Sequence, residues 1–498
     1  MDKEENNKHQ IRLERHKWPD EINREKKKKK VIIATASAVV IAFLLGWQGN
    51  RLLNSIIGNG KNSEALALFE RVYSDVRSSW FFVNDMEDPD KTLVENAIKG
   101  MLQRNGDQHT VYMTDEETKK LNDSINMSFV GIGVTYMEAS DTNMVTNVIQ
   151  GSPAEAGGIL AGDVISKVDG VSTFSSDIPI KAMIQGEAGQ PIEMEVLRAG
   201  KPVTLEVIRG RVEALAFGEV LEPGVGYIEM KSFGRGLADV TESILKDFKA
   251  KGVKNLVIDL RDNGGGYLDA IQDVARLFLD EGAIVYQEHF TNGKTETYTV
   301  KNSVASNYKF DDITILINEG TASASEVLTL ALTENLGAKT VGMKSYGKGT
   351  VQTQRIYGDS SNLKITIAEW RSPSDISINN VGILPDHEVK LPDVFYASYP
   401  LIGTSEFAYD TVSIAASYAQ HALTYLGHHN GRTDGYYDSA TRDAILAYAN
   451  AETINTDGTI NQALLQRMYS SVLYNWNGNR AVDDIQLIKA LEVAKHGS

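Results

Sequence analysis

Residues 313–336 read ITILINEGTASASEVLTLALTENL: a β-branched apolar run, a turn of small residues, then a second apolar run. The pattern predicts a buried strand over Ile313–Asn318 passing through a tight turn into a helix that begins near Val327. A serine at such a turn, Ser323, can present its hydroxyl at the end of the strand. There the next residue's N–H and the positive field of the helix N-terminus are available to an oxyanion. The same letters, Ser323-x-x-Glu326, also spell a capping box, which needs no chemistry.

Working outward, strands alternate with helices on both sides of this stretch. VGYIEMKSF (225–233), a helix over 238–251, NLVIDLR (255–261) and LDAIQDVARLFL (268–279) come before it. Apolar strands with crossover helices predict an α/β core, placed at residues 212–404. Upstream, residues 128–211 change to short β-branched runs separated by Gly, Pro and Asp turns, with one helical candidate around 178–184, and predict a small β-rich domain. Residues 51–127 are helix-patterned. Beyond the core, residues 405–498 hold three helical patterns joined by turns with Asp434-Gly435 and Asp457-Gly458, and predict a separate three-helix module. The fold class is therefore multidomain.

Two further stretches could carry chemistry. Gly342–Gln352 (GMKSYGKGTVQ) nearly spells a phosphate-binding loop, but Gly349 stands where the magnesium-holding hydroxyl belongs, and a strand follows where a helix would start. What remains is Lys348 with a glycine on either side, which would let its stem enter a crowded site. Gln352 lies an even number of residues further on and would project to the same face of an extended chain. A surface hairpin lysine would read the same way. Asp259–Gly266 (DLRDNGGG) is a strand ending in three glycines, whose free N–H groups could receive an anion. Asp259 and Asp262 have no further ligands at metal-binding spacing, and no H-E-x-x-H arrangement is present among the histidines.

Composition narrows the classes. The chain has 498 residues and no cysteine, so disulfides, thiol nucleophiles and Cys-ligated metals are excluded. Net charge is -16, yet residues 1–30 carry 11 Lys+Arg against 7 Asp+Glu. The remaining 468 residues therefore hold 39 against 59, a surface that repels nucleic-acid phosphates. Between Lys30 and Arg51 runs a 20-residue uncharged stretch preceded by five lysines. Its length suits a single transmembrane helix at 31–50, and the positive-inside rule puts the basic leader, 1–30, in the cytoplasm and the rest outside. A cleaved signal peptide is the competing reading, but the small residues of 34–38 precede the most apolar part instead of following it.

Taken together, NEGTASASEV (318–327), YGKGTVQ (346–352) and LRDNGGG (260–266) resemble the signature of the carboxyl-terminal processing peptidases, or tail-specific proteases, over residues 63–394. The resemblance implies Ser323 as nucleophile, Lys348 as general base, Gln352 as the residue that orients the lysine, and Gly265 with the Ala324 amide as the oxyanion pair. It implies no cofactor and no metal. FVGIGV (129–134) and GSPAEAGGILAGDVISKVDG (151–170) resemble a bacterial PDZ domain, which adds a peptide C-terminus as a strand and would hold the carboxylate near Gly131, Ile132, Gly133 and Val134. Relatives often read Arg-Gly after that domain's helix, whereas this chain has Gln185-Gly186.

The last module resembles three-helix peptidoglycan-binding domains, with Tyr448 supplying the usual aromatic and Ala449 standing in place of a glutamine. The expectation is a membrane-anchored serine endopeptidase, single-pass in the cell membrane, that acts on extracytoplasmic proteins with exposed C-termini. Peptidoglycan and the membrane are its other expected partners, and a homodimer is left open. The rival is a catalytically idle PDZ adaptor that holds C-termini at the wall.

Overall fold

The computed structural model describes residues 60–139, 142–174, 178–429 and 431–496. The basic leader and the apolar run at 31–50 lie outside these residues, and among the described residues no helix is long and apolar enough to cross a membrane. One compact unit ends at Met101 and contains α1 (Gly60–Ser79) and most of α2 (Pro89–Gln103). Asp90 joins the two helices by accepting from Tyr73 Oη and Arg77 Nε, each at 2.7 Å.

The second unit, from Leu102 on, begins with β1 (Val111–Met113) and α3 (Asp115–Asn126), whose start carries a full capping box from Thr114 and Glu117. The chain then enters the β-rich domain on β2 (Ser128–Gly131) and leaves it on β9 (Gly210–Glu213). These two strands pair antiparallel as a two-stranded neck. Between them, β3 (Val134–Ala139), β4 (Thr142–Val148), β5 (Val164–Val168), β7 (Pro191–Arg198) and β8 (Lys201–Ile208) form a sheet in that order. β6 (Val171–Ser172) pairs at the side of β5. Two short helices, α4 (Pro153–Ala156) and α5 (Ile180–Ile184), help close a core of Ile132, Val145, Ile165, Ile192, Met194 and Val196. Among the described residues β3 is an edge strand, paired with β4 alone.

The α/β core is a six-stranded sheet in the order β10 (Ala216–Glu222), β11 (Val225–Met230), β12 (Asn255–Asp259), β15 (Asp312–Ile317), β16 (Lys339–Gly342), β19 (His387–Glu388). All neighbours after β10/β11 are parallel. Its central strands are apolar on both faces, which a parallel sheet covered by helices requires. On one face Ile228, Leu256, Ile258, Ile315 and Ile317 pack under α6 (Leu237–Ala250), α7 (Leu268–Ala275) and α8 (Ala324–Leu336). A second, antiparallel sheet joins β1, β18 (Asn362–Arg371), β13 (Ile284–Phe290) and β14 (Thr295–Thr299), with β17 (Thr350–Ile356) also on β18.

The C-terminal stretch departs from the expected single module at 405–498. α9 (Ile414–Tyr425), α10 (Ser439–Ala451) and α11 (Gln462–Asp483), capped by Ser413, Asp438 and Asn461, do share one core around Ala419, Leu423, Ile445, Leu465 and Met468. α12 (Ile485–His496) does not join it. Its Leu487, Ala490, Val493 and Ala494 cover the other face of the parallel sheet, against Val225, Tyr227, Val257, Leu316 and Val341. The physical reason is the two-sided apolar sheet, which leaves one face exposed to water until this last helix arrives. α11 also reaches the β-rich domain: Ser470 Oγ donates to Gly162 O at 2.6 Å, and Tyr474 Oη donates to Asp163 Oδ1 at 2.5 Å.

Candidate active site

Ser323 sits between β15 and α8 with φ 56° and ψ -117°, a conformation costing an L-residue on the order of 1–3 kcal/mol. The surroundings hold it there. Thr321 Oγ1 donates to Leu260 O at 2.8 Å, Ala322 N donates to Asn263 O at 3.0 Å, and Ser325 Oγ donates to the same carbonyl at 2.8 Å. The elbow is thereby fastened to the segment that follows β12. Ser323 is 8% exposed, so its side chain is nearly closed off from bulk water.

Glu326 was legible only as a capping residue, and it does accept from Ser323 N at 2.8 Å. Its larger part is at long range. The same carboxylate, fully buried, accepts from Ser345 Oγ at 2.5 Å, Gly347 N at 2.7 Å and Lys348 N at 2.9 Å. One side chain therefore bolts the loop carrying Lys348 onto the serine turn. On its other side the Lys348 carbonyl accepts from the indole N–H of buried Trp370 at 2.8 Å. Backbone bonds on both sides fix where the lysine stem begins.

The two glycines flanking Lys348 have a different cause from the one expected. A Cβ at Gly347, where φ is 88°, would stand 2.7 Å from Gly382 N, and one at Gly349 would stand 2.6 Å from Asn379 Cβ. It is the close approach of the 378–382 backbone, not room for the lysine stem, that requires them. Gln352 follows on β17, with its Nε2 donating to Thr350 Oγ1 at 2.9 Å and Thr366 Oγ1 at 3.2 Å, so its amide orientation is set by two hydroxyls. The register of β17 with β18 slips between Val351 and Gln352, and the extra residue, Ile367, is on β18. β17 keeps its own alternation, which turns Thr350, Gln352 and Gln354 toward one cleft.

That cleft, about 450 Å³, is lined by Ser323, Lys348, Gln352 and the three glycines 264–266. The three motifs separated in sequence are thus brought to one place. Burial lowers the Lys348 ammonium below the ordinary lysine range, and the nearby Lys364 charge adds to that; Glu326 and Asp107 pull the other way. A lysine so placed loses its proton more readily than one in water and can serve as a base.

The two residues expected to face an oxyanion, Gly265 and Ala324, differ in what their N–H groups meet. Gly265 lies against the serine, since a Cβ on it would be 2.9 Å from both Ser323 Cβ and Ala324 N, and its φ of 101° suits only glycine. Its N–H, however, donates to Asn263 Oδ1 at 2.9 Å instead of facing an open acceptor position. The buried Asn263 side chain makes this turn and anchors it by donating to Met230 O at 2.8 Å. Ala324 is the first residue of α8, where an N–H has no acceptor within the helix.

Asp259 and Asp262 have other employment than a metal. Asp262 Oδ1 accepts from Asn318 Nδ2 at 3.0 Å. Asp259 accepts from Tyr227 Oη at 2.8 Å and Arg261 Nη2 at 2.6 Å, and Arg261 forks onto Asp484 at 2.9 Å twice. Burial opposes ionisation of Asp259, but the Arg261 guanidinium outweighs it and holds the carboxyl down at about 2. Nothing in the LRDNGGG letters pointed to Asp484, more than 200 residues away.

In the β-rich domain, Gly131, Ile132 and Gly133 are buried and Val134 is half-buried at the start of edge strand β3. Gly131 lies in the neck, opposite Gly210, so it belongs to strand pairing and not to an open loop. Arg209, absent from the expected Arg-Gly position, nevertheless clamps the end of α5 by donating to Ile184 O at 2.7 Å and Met183 O at 3.3 Å. Tyr448 of the three-helix module is buried, with its hydroxyl 2.9 Å from Ser471 Oγ, and so works as a core residue.

Comparison with known proteins agrees with this architecture. The profile of Peptidase family S41 matches residues 224–389, that of a PDZ domain residues 144–198, and that of a peptidoglycan binding domain residues 416–468. The carboxy-terminal processing protease CtpA of Bacillus subtilis is 29% identical over 92% of this chain and 96% of its own length. A CtpA-like serine protease of Staphylococcus aureus is 32% identical over 82% of this chain and 81% of its own. Among solved structures, a photosystem II D1 C-terminal processing protease is 27% identical and covers 65% of this chain and 92% of its own, with a TM-score of 0.40. The chain belongs to the CtpA-like serine proteases of peptidase family S41.

Proposed function

We propose that the protein is a membrane-anchored endopeptidase that cleaves extracytoplasmic proteins near their C-termini with a Ser323–Lys348 dyad. The observation that carries this reading is the Glu326 clamp, which joins the serine turn and the lysine loop at the wall of one cleft. In the reaction, neutral Lys348 Nζ takes the proton of Ser323 Oγ as the oxygen bonds to the scissile carbonyl carbon. The carbonyl oxygen becomes an oxyanion beside the Ala324 N–H and the start of α8. The lysine ammonium then gives its proton to the departing amine as the C–N bond breaks. A water, deprotonated by the same lysine, hydrolyses the ester on Ser323.

Gln352 orients the lysine without adding charge. Gly265 supplies a second oxyanion donor once its N–H leaves Asn263. A substrate's C-terminal segment adds to edge strand β3 of the PDZ domain, and the three-helix module holds peptidoglycan. The run at 31–50, preceded by Lys26–Lys30, supports a single span with the N-terminus in the cytoplasm. The adaptor reading gives no reason for a depressed lysine beside a strained serine in one cleft.

The test uses the full chain purified in detergent and incubated with a disordered protein. Cleavage that is lost in Ser323→Ala and in Lys348→Ala, with both variants folded, supports the dyad. Undiminished cleavage in either rejects it.

A further inference from the structure

Three lysines line the active-site cleft, Lys231, Lys348 and Lys364. Lys348 is the base, and the ammonium of Lys231 is taken by Glu229. Lys364 is left over. It is half-buried on β18, between Val111 of β1 and Gln354 of β17, so its backbone is held by a strand on each side. Among the described residues no carboxylate lies within ion-pair distance of it. The nearest acidic influence, Asp107, is committed to Thr110 Oγ1 at 2.6 Å and the His109 N–H at 2.9 Å.

A half-buried ammonium without a counterion is costly to a fold, and burial does lower the Lys364 pKa. Among the described residues no ion pair repays that cost, Asp107 offsets only part of it through space, and the Lys364 charge also works against protonation of Lys348. A side chain of this kind suits a ligand that brings the missing negative charge. Gln352 and Gln354 alternate along β17, and Lys364 is paired with Gln354, so Lys364 stands roughly 7 Å beyond Gln352 in the strand direction. That is the reach of about two residues of an extended substrate.

We propose that Lys364 is a specificity-determining residue that binds a carboxylate of the substrate within a few residues of the scissile bond. The carboxylate is either an Asp or Glu side chain or the free α-carboxylate of a short C-terminal tail; both offer the same two oxygens. The proposal rests on the proteolytic reading of Ser323 and Lys348.

The experiment measures kcat/KM of the full chain in detergent on peptides with one cleavage site. One arm replaces a nearby acidic side chain by its amide, and the other amidates the C-terminus. In the wild-type protein, one of the two exchanges should lower kcat/KM by about tenfold or more, a step of about 1.4 kcal/mol. In Lys364→Gln that ratio should fall to within twofold, and Lys364→Arg should restore it. The same peptides titrated into Ser323→Ala should show the matching difference in Kd, which needs no turnover.

Wild-type protein indifferent to both exchanges would overturn the proposal without any variant. So would a preference that persists in Lys364→Gln. Should the wild-type protein cleave nothing, the proteolytic reading fails, and the Kd comparison still decides whether Lys364 binds a carboxylate.

Discussion

Replacing Glu326 by Gln tests how far one carboxylate holds the site together. Its two oxygens take four donors: Ser345 Oγ and Gly347 N on Oε1, Ser323 N and Lys348 N on Oε2. An amide keeps one oxygen and turns the other into a donor. If the nitrogen faced Ser323 and Lys348, two buried N–H groups would lose their acceptor. The less costly orientation points it at Ser345 and Gly347. The serine hydroxyl can rotate, though its oxygen already accepts from Ile383 N at 2.7 Å, but the Gly347 N–H cannot turn away. One orphaned buried donor costs roughly 1–3 kcal/mol, and loss of charge assistance in the remaining bonds adds about 1 kcal/mol, for a total of roughly 2–4 kcal/mol. Because the lost bond is at Gly347, the residue before Lys348, the lysine loop loosens and kcat should drop by about tenfold or more. Urea unfolding followed by tryptophan fluorescence, together with peptide turnover, reads both quantities. A Glu326→Gln protein with stability within about 0.5 kcal/mol of wild type and kcat within about twofold would refute the clamp.

Activity should rise with pH through a lysine pKa below the ordinary value, since only neutral Lys348 can accept the serine proton and burial with Lys364 favours that form against Glu326 and Asp107. Gln352→Glu should push this rise to higher pH, and an identical profile would show that Gln352 does not act on the base. Removing residues 405–498 takes away α12 along with the three-helix module and bares the sheet face at Val225, Val257 and Leu316; the shortened protein should lose cooperative thermal unfolding of its catalytic domain, whereas an unchanged Tm would contradict the packing. Asp484→Ala leaves the buried Arg261 with one carboxylate in place of two and should cost about 3 kcal/mol in urea unfolding, with a change under about 0.5 kcal/mol counting against the network.

What could be read in advance was what local pattern controls. The parallel strands and crossover helices between Val225 and Leu336 followed from β-branched runs alternating with helical spacing, because parallel central strands buried on both faces have a distinctive composition; the antiparallel pair β13 and β14, which lies between them in sequence, did not. The resemblance brought Ser323, Lys348 and Gln352 together as a set, and the fold puts all three in one cleft. Long-range partners were not legible. Ser-x-x-Glu looks the same whether Glu326 caps one helix or also binds a loop some 20 residues on, since no periodicity encodes which distant N–H will arrive. The apolar stripe of α12 shows that the helix is buried but not against which surface, and position in the chain suggests its sequence neighbours whereas the uncovered sheet face takes it. The Gly265 N–H bond to Asn263 depends on side-chain rotation within a turn, which the letters NGGG leave open.

The central claim is that Ser323 is the nucleophile and Lys348 its base in an endopeptidase. Mapping, by mass spectrometry, the fragments of a disordered test protein after incubation with the full wild-type chain, Ser323→Ala and Lys348→Ala, each with and without a chelator, tests it most directly. Discrete cuts clustered toward the C-terminus are expected with the wild-type protein, unchanged by the chelator, and none with either variant. The same fragments appearing with Ser323→Ala, or cleavage that vanishes with the chelator and returns with added zinc, would contradict it.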